Sequence, residues 1–553
     1  MIRNRSRYRR VAGAIRSAQE WPPAHQPHEH LAHAAPAHES RTAAPARVRT
    51  TARVIDRPAP FAAAVRDRPA PFDGGILDRP APFAAPVVEG PAPMPARVAA
   101  VATPAPAPAT AAAKAPASDR AVRYRRLLDG TLRSIAALYL ALIIVGVVVY
   151  KAAFIHMLFI DPFFAAYGLL VSGYIVSRFG ISLFYRSGKP HGLEPHVAIV
   201  MPAFNEEDAI ADSLRSLLAL DYPADKLQIV AVNDGSSDAT LRELTKVADQ
   251  ANGRVRVIDF PENRGKRAAM AAGIRVTDAE IVAFVDSDSV LEEDAMRILV
   301  QAFHEPKVGA VCGHADVLNV RATWLTRMQA VRYFVAFKVI KAAESVFNAV
   351  TCCSGCFSAY RREAIMPHLD WWETQTFLGV ESTFGDDRSL TNCVLRKWKV
   401  RYEDKAVSHT IVPETFRQFM KQQTRWKRSW TRESLIVGTF IWRKNPIAAL
   451  ATYISVILPL VAPIAALRAL VWQPIMHGTG PPVVYILGIY ALALVYGLYF
   501  SIRQRRYDTL WLAGILFVFF YLAFMLWQTY YAILTSRTAS WGTRATQPAE
   551  VPS

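Results

Sequence analysis

From His196 onward, short apolar runs alternate with longer segments of helical spacing. HVAIVMPAFNEE, LQIVAVNDGSSD, VRVIDFPENRG and EIVAFVDSDSV each read as a buried strand that ends in polar residues. Between them, DAIADSLRSLLAL and GKRAAMAAGIRV carry helical periodicity. That succession predicts parallel strands with helices on both faces. Ligands bind such sheets beyond the carboxyl ends of the strands, where FNEE, NDGSSD and DSDS fall. A coarser pattern frames this region. Five apolar stretches, near 135–157, 163–185, 447–472, 483–501 and 509–534, are long enough to cross a hydrocarbon core of ~30 Å. Arg178 and Arg468 lie near span ends, where a long side chain can snorkel, and Pro459 and Pro463 predict a kink in the third span. Thr323 to Glu344 is amphipathic and is expected to lie on the membrane.

The expected layout is therefore a tail over 1–120, two spans over 121–190 and a central domain over 191–415. An interfacial helix over 416–446, three spans over 447–535 and a short tail over 536–553 complete it. The first tail is rich in Ala, Pro, Arg and His and repeats DRPAPF at Asp56, Asp67 and Asp78, so it cannot bury a core and reads as disordered. Its cationic start, MIRNRSRYRR, runs into WPPAHQPHEH rather than an apolar core, so no signal peptide is expected. The net charge of +18 is unevenly placed. RYRRLLDGTLR and SIRQRRYD flank spans, whereas HMLFIDP and WQPIMHGTGPP hold no Lys or Arg. The positive-inside rule then puts the N-terminus and central domain in the cytoplasm of a multi-pass protein of the cell membrane. Five cysteines, an odd number inside such a domain, argue against a disulfide framework, and the C-x-x-C of Cys353 and Cys356 reads as ordinary buried thiols.

No glycine-rich phosphate loop is present, so the chemistry has to come from other groups. Asp286 and Asp288 alternate at a strand end, and Asp234 ends a neighbouring strand. Hard carboxylate oxygens of this kind suit Mg²⁺ or Mn²⁺ bridging a diphosphate. Either Asp234 or Asp238 is expected to cap the helix starting near Ala239. SGCFSAYRR offers small residues that let backbone approach a ligand. FGDDRSLTN sets Asp386 and Asp387 side by side, one suited to a helix cap and the other to general base work. KQQTRWKRSW, with four cations and two tryptophans, has two readings. One is a lipid anchor. The other is a site where an indole stacks on a sugar and arginine meets phosphate, with Lys427 and Arg428 left to the headgroups.

In this order and flanked by spans, FNEE, VNDGSSD, DSD, SGCFSAYRR, GDDRSLTN and QQTRW resemble the processive family 2 glycosyltransferases. These include hyaluronan, chitin and cellulose synthases and the rhizobial chitooligosaccharide synthases. The likeness covers about residues 125–535, and Q-Q-x-R-W downstream of G-D-D is its most specific part. It implies an α/β fold, a glycosyltransferase type A (Rossmann-like) domain inserted between transmembrane helices. It further implies that Glu206 and Asp234 contact uridine, Asp286 lies near the ribose, and Asp288 holds the metal. Lys266 and Arg425 would serve the diphosphate. Asp387 would be the base beside Asp386, with Gln422, Gln423 and Trp426 at the acceptor. Asn233 departs from the usual aspartate, and five spans depart from an even count. The implied activity is inverting transfer from a UDP-sugar, UDP-N-acetylglucosamine with or without UDP-glucuronate, to a growing β-linked polysaccharide that is exported. The implied partners are donor, polymer and membrane lipid, with no nucleic acid. The competing readings are a non-processive transferase acting on a lipid-linked acceptor and an inactive membrane scaffold.

Overall fold

The computed structural model describes residues 161–477, 480–504 and 510–537, with scattered helical positions between 131 and 149. The N-terminal tail, most of the first expected span and all but the first two residues of the C-terminal tail lie outside the described residues.

Eight strands make one sheet: β1 (Val197–Ala203), β2 (Leu227–Asp234), β3 (Val255–Phe260), β4 (Ile281–Phe284), β5 (Ser289–Leu291), β6 (Val308–Val317), β7 (Ser358–Arg361) and β8 (Lys399–Thr410). Their order is β3-β2-β1-β4-β7-β6-β8-β5. The four strands expected from the alternation are β1 to β4, and they pair in parallel. β7 then runs antiparallel to both β4 and β6, so the second half of the sheet is mixed. Every residue of β1 and β4 is buried, as continuous apolar runs require when both faces are covered. The chain steps from β1 to β2 on one side and later returns as β4 on the other. The crevice thus opens at the carboxyl ends of β1 and β4.

Twelve helices matter here. They are α1 (Pro162–Ser182), α2 (Ile210–Leu218), α3 (Thr240–Asp249), α4 (Lys266–Arg275), α5 (Ala295–Val300) and α6 (Trp324–Phe334). After them come α7 (Asp386–Leu395), α8 (Phe416–Gly438), α9 (Pro446–Leu467), α10 (Gly480–Gln504), α11 (Leu510–Phe520) and α12 (Gln528–Leu534). Ile210, Leu214, Leu244, Val247 and Leu299 of α2, α3 and α5 pack with Ile199 and Ile229 on one face of the sheet. Ala269, Met270 and Ile274 of α4 pack with Val200, Val230 and Val282 on the other. Both faces are covered, as the pattern predicted.

α8 is one 23-residue helix whose start is capped by Thr415, which accepts from the Gln418 amide. Asn445 caps α9, with Pro446 at its first position, where a missing N–H costs nothing. Among the described residues, two helices, Pro446–Met476 and Tyr485–Ile502, are long and apolar enough to cross a membrane. A third crossing is available if Leu512–Met525 and Gln528–Leu534, bent by 45°, act as one.

Three expectations about the membrane segments change. Arg468, partly exposed, has a partner at its span end: its guanidinium meets Asp161 at 2.7 Å, with Gln473 on the same oxygen at 2.9 Å. Arg178 is buried beside the Tyr174 ring instead of snorkelling. The Thr323–Glu344 segment buries Leu325, Met328, Val331 and Phe334 against Phe419, Phe500 and Phe520, so its apolar stripe faces protein and not lipid. Long-range packing supplied the partners that the local pattern left open.

Candidate active site

A single cavity of about 1100 Å³ opens at the strand ends and continues to Pro459, Tyr521 and Thr529 of the apolar helices. Asp234, Lys266, Asp286, Asp288, Asp386, Asp387, Gln422, Gln423, Arg425 and Trp426 all line it. Of the residues singled out from sequence, Glu206 is not among the lining residues, although Pro202, Ala203 and Phe204 just before it are.

One wall, at the strand ends, is built by turns between strand and helix. Asp234 ends β2 and is buried; its carboxylate accepts from the Arg264 amide at 2.8 Å, the Gly265 amide at 3.0 Å and the Asn263 amide group at 3.1 Å. Burial pushes this carboxyl up to about 6, against the pull of those amides. Gly265 holds a φ of 93° that other residues avoid, and α4 starts immediately after it. Asp234 thereby fixes the turn that presents Lys266, and Lys266 donates to Asp286. Neither Asp234 nor Asp238 is the cap of α3; Ala239 holds that position, and Asp238 just before it takes the Thr240 amide at 2.9 Å. The small residues of SGCFSAYRR have a visible cause. A Cβ on Gly355 would stand 2.9 Å from an Asp286 oxygen, so a larger residue in this loop would push on the carboxylate.

Asp288 has only weak company, the Ser289 hydroxyl at 3.4 Å and the Thr410 hydroxyl at 3.5 Å. Burial, then the charge of Asp286, raise its carboxyl to about 6, while Lys266 opposes them. Among the described residues, no three His, Cys, Asp or Glu side chains gather closely enough to enclose a metal ion. A pair of carboxylates completed by substrate oxygens and water suits Mg²⁺ or Mn²⁺, which are seldom caged by protein alone. The under-coordinated, neighbour-repelled oxygens of Asp288 fit that role.

The opposite wall is assembled from distant segments. Neither aspartate of the G-D-D turn is the helix cap. Gly385 takes that place with a φ of 81°, and a Cβ there would collide with Ser429 of α8. Asp386 is buried and bound by the Arg267 guanidinium at 2.8 Å. Asp387 lines the cavity, with one oxygen on the Arg388 amide at 2.8 Å and the other facing the Cys352 thiol at 3.4 Å. α7 is clamped to α8 by Arg432, which donates to the Phe384 carbonyl at 2.6 Å, and by Glu433, which accepts from Asn392 at 2.9 Å. Phe384 and Asn392 end the FGDDRSLTN stretch, but their pairing with Arg432 and Glu433 was not read from the sequence.

On α8, Gln423 is buried and donates to Gln422 at 3.3 Å. The guanidinium of Arg332, from α6, lies 5.5 Å from the Trp426 ring centre, and its Nη1 is buried without a hydrogen-bond partner. Burial, against the pull of Asp386, Asp387 and Asp286, lowers the Arg425 pKa. Lys427 and Arg428 do not reach for headgroups. Lys427 donates to the Met525 carbonyl at 2.5 Å and to Thr529 at 3.1 Å, and Arg428 to Thr535 at 3.0 Å. The helix bend after Met525 frees a carbonyl, and Lys427 takes it.

A cavity with carboxylates at strand ends on one wall and arginine, glutamine and indole on the other is equipped to move a group from a phosphorylated donor to a hydroxyl. Residues 198–369 match the family described as Glycosyl transferase family 2. A hyaluronan synthase of Streptococcus pyogenes is 33% identical over 391 residues, 68% of this chain and 90% of that protein. An N-acetylglucosaminyltransferase of Bradyrhizobium diazoefficiens is 36% identical over 261 residues, 47% of this chain and 53% of its own. Among solved structures, a mannosyltransferase from Pyrobaculum calidifontis in complex with GDP-Man and Mn²⁺ is 20% identical, with a TM-score of 0.45, covering 64% of this chain and 99% of its own. The chain belongs to the family 2 glycosyltransferases, and its sheet is of their type A kind. Within that family it resembles the processive hyaluronan synthases.

Proposed function

We propose that this glycosyltransferase builds a β-linked polysaccharide from UDP-sugars and passes it into the membrane helices as it grows. The observation that carries the reading is the continuity of one cavity from Asp234 and Asp286 through Asp387 and Trp426 to Tyr521 and Thr529. A transferase that releases each product after one addition has no use for such a passage. In this reading the domain over 191–415 faces the cytoplasm, with 447–535 in the cell membrane.

The proposed roles follow from position. Asp234 and Asp286 face the nucleoside, with Glu206 following the lining residue Phe204 by two positions, and Lys266 and Arg425 offset the diphosphate charge. Asp288 would hold Mg²⁺ or Mn²⁺, which when bound neutralises charge on the diphosphate. Asp387 takes the proton from the acceptor hydroxyl as it attacks. Asp386 is tied to Arg267 and serves geometry rather than proton transfer. The reading has one carboxylate base and no protein nucleophile, so it predicts single displacement with inversion.

UDP-N-acetylglucosamine is the proposed donor. Arg332, a cation lining the cavity with its Nη1 unpartnered, favours UDP-glucuronate as a second donor, because a polymer with carboxylates would pair with it. The test is membrane vesicles supplied with each UDP-sugar alone and in pairs, followed by digestion with linkage-specific hydrolases. Polymer from the pair alone supports the carboxylate-bearing product. Polymer from UDP-N-acetylglucosamine alone replaces it with a neutral chain, and short lipid-linked products overturn processivity.

A further inference from the structure

α4 begins with two adjacent cations that reach opposite walls of the cavity. Lys266 pairs with Asp286 on the donor side, and Arg267 pairs with Asp386 on the acceptor side. Successive side chains diverge around a helix, so one rigid turn grips both walls. Arg267 is 4% exposed, and all three of its guanidinium nitrogens donate. Nε donates to Asp386 at 2.8 Å, Nη1 to Gln375 at 2.8 Å and to the Trp372 carbonyl at 3.1 Å, and Nη2 to the Phe384 carbonyl at 3.4 Å. The Trp372 ring centre lies 5.6 Å from the guanidinium carbon. Gln375 in turn accepts from Ser389 of α7 at 2.8 Å.

We infer that Arg267 is a positioning residue for transfer: it holds Asp386, and through it the Gly385 turn, so that Asp387 stands at a fixed distance from the donor that Lys266 and Asp286 bind. It rests on the reading of Asp387 as the base. Three facts favour positioning over general packing. Arg267 contacts residues on both sides of Gly385, Phe384 and Asp386, and so fixes the turn's direction as well as its place. The Asp386 carboxylate is spent on Arg267 while its neighbour lines the cavity. Arg267 is also one residue from the donor-side cation, so donor and base share a single helical turn as their reference frame. Lysine would keep the charge but not the fork, and could not serve Asp386, Gln375 and two carbonyls at once.

The test uses the full-length enzyme in membranes or detergent and compares Arg267→Lys, Asp386→Asn, their double variant and Asp387→Asn. Arg267→Lys is expected to lower kcat about 10²-fold, the effect of misplacing a reacting group by ~1 Å. The donor KM and UDP affinity should stay within about twofold. Asp386→Asn should lower kcat to a similar degree. The double variant should fall no further than the worse single, since both act through one link. Near-normal kcat in either single variant overturns the inference. Multiplying losses in the double variant, or a loss of UDP affinity that matches the loss of kcat, also overturns it. Asp386→Asn keeps Arg267 in place and decides the matter if Arg267→Lys fails to insert. Activity in Asp387→Asn would instead break the base assignment, separately from these results.

Discussion

The two walls of the cavity are made in different ways. The donor-side wall comes from β1 to β4 and their turns, about ninety consecutive residues in which each polar cluster follows its own strand. Its key contacts bridge neighbouring turns, such as Asp234 with Gly265 and Lys266 with Asp286. The acceptor-side wall is gathered from α6, α7, α8 and the bend after α11, held by pairs more than forty residues apart, such as Arg432 with Phe384 and Lys427 with Thr529. One wall needs only correct local folding. The other needs the membrane helices in place, which makes the acceptor wall the part sensitive to insertion.

The sharpest way to separate the walls is to remove one group from each. Asp387→Asn should cut transfer by about 10²–10⁴-fold, the usual loss for a general base, while UDP binding stays near normal because the donor wall is intact. Initial rates and UDP titration on purified enzyme check both halves. Near-normal turnover moves the base elsewhere. Asp288→Ala should cost about 10²–10³-fold, comparable with losing one electrostatic stabiliser of the leaving group, and should also weaken metal-dependent UDP binding. Full activity in chelator, or equal UDP affinity with and without Mg²⁺ or Mn²⁺, breaks the comparison.

The same division explains what was legible. β1 to β4 and the helices between them followed from apolar runs and polar ends, because both faces of the sheet are buried and leave a continuous signal. The antiparallel β7 and the split strand near Ser289 did not, because their pairing is decided by partners far along the chain. Asp286, Asp288 and Asp387 were legible as candidates because several acidic clusters fall together at strand and helix ends, in the order of the resembling family. Arg267 was not, since an arginine in the first turn of a helix looks like surface until Asp386 meets it from 119 residues away. Lys427 and Arg428 looked like lipid anchors for the same reason: their carbonyl and hydroxyl partners come from a helix bend that no local pattern announces.

Trp426 sharpens the acceptor wall. Arg332 occupies one face of its ring, so a sugar can stack only on the other. Stacking alone contributes about 0.5–1.5 kcal/mol in aromatic pairs, roughly tenfold at most. Trp426→Ala should therefore slow elongation by about tenfold, more if the ring also orients the attacking hydroxyl, with UDP affinity unchanged. Trp430, one turn on, lines the same cavity and cannot serve as a control for lipid anchoring. Trp442, 59% exposed beyond the end of α8, serves instead, and its alanine variant should insert less well yet elongate normally once inserted. Normal polymer from Trp426→Ala would return this tryptophan to structure alone.

The smallest effect expected is a pH dependence that differs in sign between the walls. Burial, helped by the charge of Arg332, lowers Lys427 to about 7 from an ordinary value of 10.5. Above that pH the folded protein sheds the proton, while the unfolded chain keeps it until about 10. The unfolded state then binds more protons between about pH 7 and 10, so this group makes stability rise with pH across that window. Asp234 works the other way. Its carboxyl is raised to about 6, so the folded state holds the extra proton and loses stability as pH rises from about 4 to 6. Lys427→Met keeps the length of the stem without the charge. It should flatten the rise in melting midpoint between pH 7 and 9 in detergent, because the group that titrates there is gone. The slope between pH 4 and 6, which belongs to the donor wall, should not change. Equal slopes above pH 7 in wild type and Lys427→Met would mean that this amine stays in water, and that the bend after Met525 is held by something else.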